Sequence, residues 1–231
     1  MHGKKELDYF DLGVMGYEEA WKIQKTLQDL RKEGAIKDTL LFLEHPPVYT
    51  KGRRASEKDI LFSEEKLQEE GIQVFEVDRG GLITYHGPGQ LVGYLIFHLK
   101  ENHRASLSWF VWALEEVSIQ ALQHWEIAGK RIPGLTGVWV GNKKITAIGV
   151  RMSRWVTMHG FAFNLAPNLD HFKGIVPCGI PDRGVTSLAA LIPSCPSMSE
   201  VKEVFLKKIC HIFAFEKVER KSKESLCISR S

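Results

Sequence analysis

Arg79-Gly80-Gly81-Leu82-Ile83-Thr84-Tyr85-His86-Gly87-Pro88-Gly89-Gln90 lies between two strongly apolar runs, residues 72–77 and 91–99. Glycine loses more conformational freedom on ordering than any other residue, so a glycine cluster between strands needs a reason. One reason is a tight turn. The other is close approach of the backbone to a ligand, with an arginine and a histidine at hand. The cluster is not a phosphate loop, because no Gly-Lys-Ser/Thr follows. Nor is it a dinucleotide fingerprint: Val92 sits where the third glycine belongs, and Pro88 removes a backbone donor.

Outward from the cluster the pattern alternates irregularly between strand and helix. Residues 7–12 and 39–43 read as strands, the second closed by His45-Pro46-Pro47. Residues 17–31 carry apolar positions at helical spacing and end before Gly34. Residues 63–70 form a short helix with Ser63 as N-cap and Gly71 as stop. Residues 106–125 and 199–213 are longer helices. Residues 138–152 make a hairpin about Gly141-Asn142, which sets Lys144 opposite Trp139, and residues 161–165 are a further strand. Strand and helix do not alternate strictly, so the reading is α/β of the α+β type, with a mixed sheet flanked by helices. One domain over 1–231 is expected, with room for a small C-terminal subdomain from about residue 200.

A net charge of +3, 44% hydrophobic and 26% charged residues describe an ordinary globular chain and do not argue for nucleic acid or membrane. Three local basic clusters, 51–54, 143–144 and 217–223, are either solvated charge or a docking surface for an acidic protein. No Cys-x-x-Cys or His-Glu-x-x-His pair suggests a metal site, and no apolar run is long enough to span a bilayer. No secretory signal core is seen, which sets the expectation of reduced thiols in a cytoplasmic compartment.

Of four cysteines, Cys210 reads as a core or boundary thiol, Cys195 as a loop residue and Cys227 as part of the tail. Cys178 lies between Pro177 and Gly179 in an apolar segment; it is either a nucleophile with a bared backbone N–H beside it or a buried inert thiol. A thiol with a pKa near ~8.5 needs a base or cation to act at neutral pH. Lys144 is a candidate, on a strand face shared with Thr146, Ile148 and Val150; His86 and His159 are rival bases. The other reading of Lys144 is a solvated or snorkelling strand-end lysine.

Six motifs in order carry a family resemblance: His45-Pro46-Pro47-Val48-Tyr49-Thr50, the whole 79–90 run, Thr136-Gly137-Val138-Trp139-Val140, Lys144-Ile145-Thr146-Ala147-Ile148-Gly149-Val150, His159-Gly160-Phe161-Ala162 and Ile175-Val176-Pro177-Cys178-Gly179-Ile180. They resemble the octanoyltransferases of lipoate biosynthesis, the lipoate-protein ligase B family. Lys51 and Phe163 depart from the usual residues. The resemblance implies a fold like the catalytic domain of biotin and lipoate protein ligases. It makes Cys178 the acyl-thioester nucleophile and Lys144 its partner. The acyl site would be lined by Arg79, Gly80, Gly81, Leu82, Ile83, Thr84, Tyr85, His86, Ala147, Ile148, Gly149, His159, Gly160, Phe161 and Ala162. It further implies no ATP, metal or other cofactor, acyl carrier protein as donor, and lipoyl domains of 2-oxoacid dehydrogenase complexes and the glycine cleavage H protein as acceptors. A cytoplasmic monomer is expected. The competing readings are an ATP-dependent lipoate or biotin ligase on the same fold, a non-catalytic acyl-binding module, and an amidotransferase between protein lysines.

Overall fold

The computed structural model describes residues 5–176 and 184–226. The elements run β1 (Glu6–Val14), α1 (Tyr17–Lys32), β2 (Asp38–Glu44), β3 (Val48–Lys51), α2 (Glu64–Glu69), β4 (Gln73–Glu76), β5 (Ile83–His86) and β6 (Gln90–Ile96). There follow α3 (Leu99–Asn102), α4 (Leu107–Gln123), β7 (Lys130–Ile132), β8 (Leu135–Val140), β9 (Lys143–Ser153), β10 (Val156–Asn164), α5 (Met198–Phe213) and β11 (Lys217–Lys221). Eight strands form one sheet in the order β11-β1-β2-β6-β10-β9-β8-β7, and β4-β3-β5 form a second. The large sheet is mixed: β1 is parallel to β11 and β2, and the remaining pairs are antiparallel.

The large sheet is covered on both faces, which explains why β2 is buried up to its last residue and β6 along its whole length, with mostly apolar side chains. Leu40 and Phe42 of β2 join Leu95, Phe161 and Phe163 in a core closed by Phe205 and Phe213 of α5 and by Phe110 and Leu114 of α4. Leu41 and Leu43 point the other way, into a core with Ala20 and Leu27 of α1. Each such fully buried side chain is worth about 1.5–3 kcal/mol. Ser106 caps α4 by accepting from Trp109 N–H at 3.2 Å. Ser197 and Glu200 form a capping box at the start of α5. Buried Asp38 accepts from Arg31 Nε, His103 Nε2 and His98 N–H, each at 2.8 Å, and pins the end of α1 to the start of β2. Among the described residues no helix is long and apolar enough to cross a membrane.

Most expected elements are present. The hairpin about Gly141-Asn142 forms, with Trp139 paired to Lys144. One element lies inside the glycine cluster itself: residues 83–86 are not loop but β5, paired antiparallel with β3. The second sheet thereby lays the cluster over the main sheet.

Candidate active site

A cavity of ≈390 Å³ opens between the glycine loop and the large sheet. Its floor is made of small residues on paired strands, Ala147 and Gly149 of β9 opposite Ala162 and Gly160 of β10. Its wall is the loop from Arg79 to Leu82 continuing into β5. The loop is clamped from both sides. Gly80 N–H donates to Val150 O of β9 at 3.1 Å; Gly52, Arg53 and Arg54 donate from the turn after β3 to the carbonyls of Leu82, Arg79 and Gly81. A Cβ on Gly149 would lie 2.9 Å from Arg79 Cδ, so glycine is needed for loop and floor to meet.

Arg79 is 7% exposed. Its Nη1 donates to Gly80 O and Leu82 O at 3.1 and 2.8 Å, and its Nη2 to Thr50 O and Thr50 Oγ1 at 2.5 and 2.8 Å. The guanidinium therefore anchors the loop.

Lys144 lies 9% exposed on the cavity wall, although it stands on a surface hairpin. Its Nζ donates to Thr136 O at 2.9 Å and sits 4.8 Å from the Trp139 ring. Its N–H donates to Gly184 O, and its carbonyl accepts from Thr186 N–H. Lys144 is thus tied to the chain just downstream of residues 177–183. Cys178 falls in that stretch, outside the described residues; Cys227, in the tail, also lies outside them. Cys195 is exposed. Burial pushes the Cys210 thiol up to about 11, which leaves it protonated and inert.

The two histidines considered as rival bases are held neutral. Burial pushes His86 down to about 3. Its Nδ1–H donates to Gln90 Oε1 at 2.7 Å, and Gln90 Nε2 donates on to Asn164 Oδ1 at 2.9 Å. His159 has φ of 64°, and burial lowers it below the usual imidazole value against the opposing pull of Asp78. The His159 Nε2 to Asp78 Oδ1 distance is 2.9 Å. Burial raises Asp78, but the hydrogen bond with His159 and the charges of Arg151 and Lys25 outweigh it and hold the carboxyl low.

All the described residues expected at the acyl site line this cavity except Tyr85. Strand alternation puts Thr84 and His86 on the cavity side and turns Tyr85 into a separate core with Tyr49, Phe172 and Ile175. There its hydroxyl meets His171 Nδ1 at 2.8 Å. Lys51, grouped with the exposed arginines by sequence, is buried and paired with Glu57 and with Glu76, the latter at 2.9 Å. Arg53 and Arg54 do face the cavity rim. The cavity also takes Tyr17 of α1, Tyr94 of β6, and Leu107 and Val111 of α4. Their own helical and strand patterns mark them only as buried or amphipathic positions. Among the described residues no group of three or more His, Cys, Asp or Glu is placed to hold a metal ion.

Residues 16–210 match the family model described as the lipoyl protein ligase A/B catalytic domain. An octanoyltransferase of Caldicellulosiruptor bescii is 55% identical over 192 residues, which are 82% of this chain and 84% of that protein. Among solved structures, a protein of T. acidophilum described as a lipoate protein ligase with bound lipoic acid superposes with a TM-score of 0.72 at 14% identity, covering 96% of this chain and 92% of its own. The biotin protein ligase of Aquifex aeolicus superposes with a TM-score of 0.50 at 17% identity, covering 91% and 69%. At these identities the two structures are like this one in fold.

Proposed function

This chain belongs to the lipoyl protein ligase A/B catalytic domain family, among the octanoyltransferases of lipoate biosynthesis, and we propose that it transfers octanoyl through a thioester on Cys178. It is an acyltransferase. The Cys178 thiolate attacks the carbonyl carbon of an octanoyl thioester carried by acyl carrier protein. Lys144 holds the proton taken from the thiol and gives it to the leaving carrier sulfur, which departs as a thiol, so that octanoyl-Cys178 and a neutral Lys144 amine remain. A lysine amine of a lipoyl domain, in a 2-oxoacid dehydrogenase complex or a glycine cleavage H protein, then attacks. Its proton passes to Lys144, the C–S bond breaks and an amide forms. Backbone N–H groups near Gly179 would stabilise each oxyanion. The donor is already activated, so the scheme calls for neither ATP nor metal.

The observation that carries this reading is Lys144, buried on the wall of a cavity with a small-residue floor. A dry slot suits an alkyl chain and keeps water from the acyl-enzyme. Each methylene contributes about 0.8 kcal/mol on burial, so selection for chain length should be graded. The test is intact-mass measurement after incubation with octanoyl-carrier protein. A +octanoyl adduct should form on the native protein and vanish in Cys178→Ala; an adduct that survives the substitution defeats the proposal. Pyrophosphate release from ATP and free octanoate would instead point to a ligase.

A further inference from the structure

We propose that Glu115 is a positioning residue for Lys144, acting through the single peptide group that joins Thr136 to Gly137. This rests on Lys144 serving as the partner of Cys178. Glu115 is on α4 and is 8% exposed. Its Oε1 accepts from Gly137 N–H at 2.9 Å. The carbonyl of that same peptide group, Thr136 O, accepts from Lys144 Nζ at 2.9 Å. Carboxylate, peptide and ammonium therefore form one hydrogen-bonded chain, in which each bond polarises the next.

The local backbone is shaped for this contact. Gly137 has φ of 119°, which disfavours any side chain, and a Cβ there would lie 2.5 Å from Thr146 O and 3.3 Å from Lys144 Cε. The pairings of β8 with β7 and β9 take in Leu135, Val138, Trp139 and Val140 but skip Thr136 and Gly137, so the Thr136–Gly137 peptide is not held by regular ladder pairing. Glu115 holds it instead. The other carboxylate oxygen, Oε2, accepts from Arg131 Nε at 3.0 Å. Arg131 is itself fixed by Trp112 O and Glu116 Oε2, at 2.9 and 2.8 Å. Both oxygens of Glu115 thus face donors. A glutamine can satisfy only one of them and turns an NH₂ toward the other.

Glu115→Gln tests the chain with little change of shape. Expected are a fall in kcat of about tenfold with KM held within about twofold, and a rise in the pH midpoint of Cys178 alkylation. The ¹⁵Nζ resonance of Lys144, which needs no substrate, should also move. Glu116→Gln, which also disturbs Arg131, should leave the alkylation profile and the Nζ resonance at wild type. Adding Glu115→Gln to Lys144→Ala should cost nothing further; an additive loss overturns the proposal. If Lys144→Ala shifts alkylation while Glu115→Gln leaves both profile and resonance unchanged, the Glu115 proposal alone falls. If Lys144→Ala leaves alkylation and transfer at wild type, the underlying role of Lys144 falls instead.

Discussion

The Arg79 guanidinium is bonded to Thr50 through both the carbonyl and the hydroxyl, at 2.5 and 2.8 Å. With the two bonds to Gly80 O and Leu82 O, it closes the glycine loop onto the end of β3. Lysine cannot reproduce a planar fork with several donors. Arg79→Lys should therefore lower stability by about 2–3 kcal/mol, as charge-assisted bonds are lost in a buried place. Thermal unfolding reads this directly. Were Arg79 instead a contact for the phosphate arm of the donor, the unfolding midpoint would stay at wild type while KM for octanoyl-carrier protein rose.

Gly149 sets how close loop and floor can come. An added methyl would lie 2.9 Å from Arg79 Cδ and 3.4 Å from Gly80 O. The arginine is held by four hydrogen bonds and cannot swing away freely, so the loop must shift. Overpacking of this kind costs about 1–3 kcal/mol. Gly149→Ala should keep the fold and lower kcat/KM for octanoyl transfer by about tenfold, since a misplaced wall disturbs the alignment of the acyl group. A value within twofold of wild type would show that the wall has slack.

α1, α2, α4, α5 and the 138–152 hairpin could be read from the sequence because their signals are local: apolar spacing marks the helices, Ser63 caps α2, and Gly141-Asn142 turns. The hairpin register alone placed Lys144 opposite Trp139. β3 and β5 were harder. Thr50 and Thr84 pair across them, yet each strand has only four residues and lies among proline or glycine punctuation, so its pairing is decided by tertiary contact. The motif resemblance found the cavity wall, but it treated residues 79–86 as one continuous lining. Strand alternation divides that run and removes Tyr85. Glu115 gave no sequence signal at all, because a glutamate on an amphipathic helix looks like surface until Gly137 is brought under it.

Tyr85 offers a check on that division. Its hydroxyl is 2.8 Å from His171 Nδ1, and burial pushes it up to about 12, so it remains protonated. Tyr85→Phe should cost about 1 kcal/mol of stability, the ordinary worth of one buried hydrogen bond. Octanoyl transfer should stay within twofold of wild type. A tenfold loss of transfer at unchanged stability would return Tyr85 to the acyl site.

His45 makes the fold acid-sensitive, with a sign fixed by its partners. Its Nδ1–H donates to Met15 O at 2.7 Å, which leaves Nε2 to accept from Tyr94 O–H at 2.8 Å. The ring is neutral in this arrangement, and burial pushes it down to about 4. A histidine in the unfolded chain titrates near ~6.5. Between these values the unfolded chain binds the extra proton and the folded one does not. Stability from His45 is therefore fully present above about pH 6.5, falls as pH drops toward 4, and falls no further below that. The slope is about 1.4 kcal/mol per pH unit, so roughly 2 kcal/mol is lost between pH 6.5 and 5. His45→Gln can keep both bonds, with the amide donating to Met15 O and accepting from Tyr94, but it does not titrate. Urea unfolding at pH 7 and pH 5 should show the wild type losing about 2 kcal/mol more than His45→Gln. Equal losses in the two would mean that His45 does not carry this acid sensitivity.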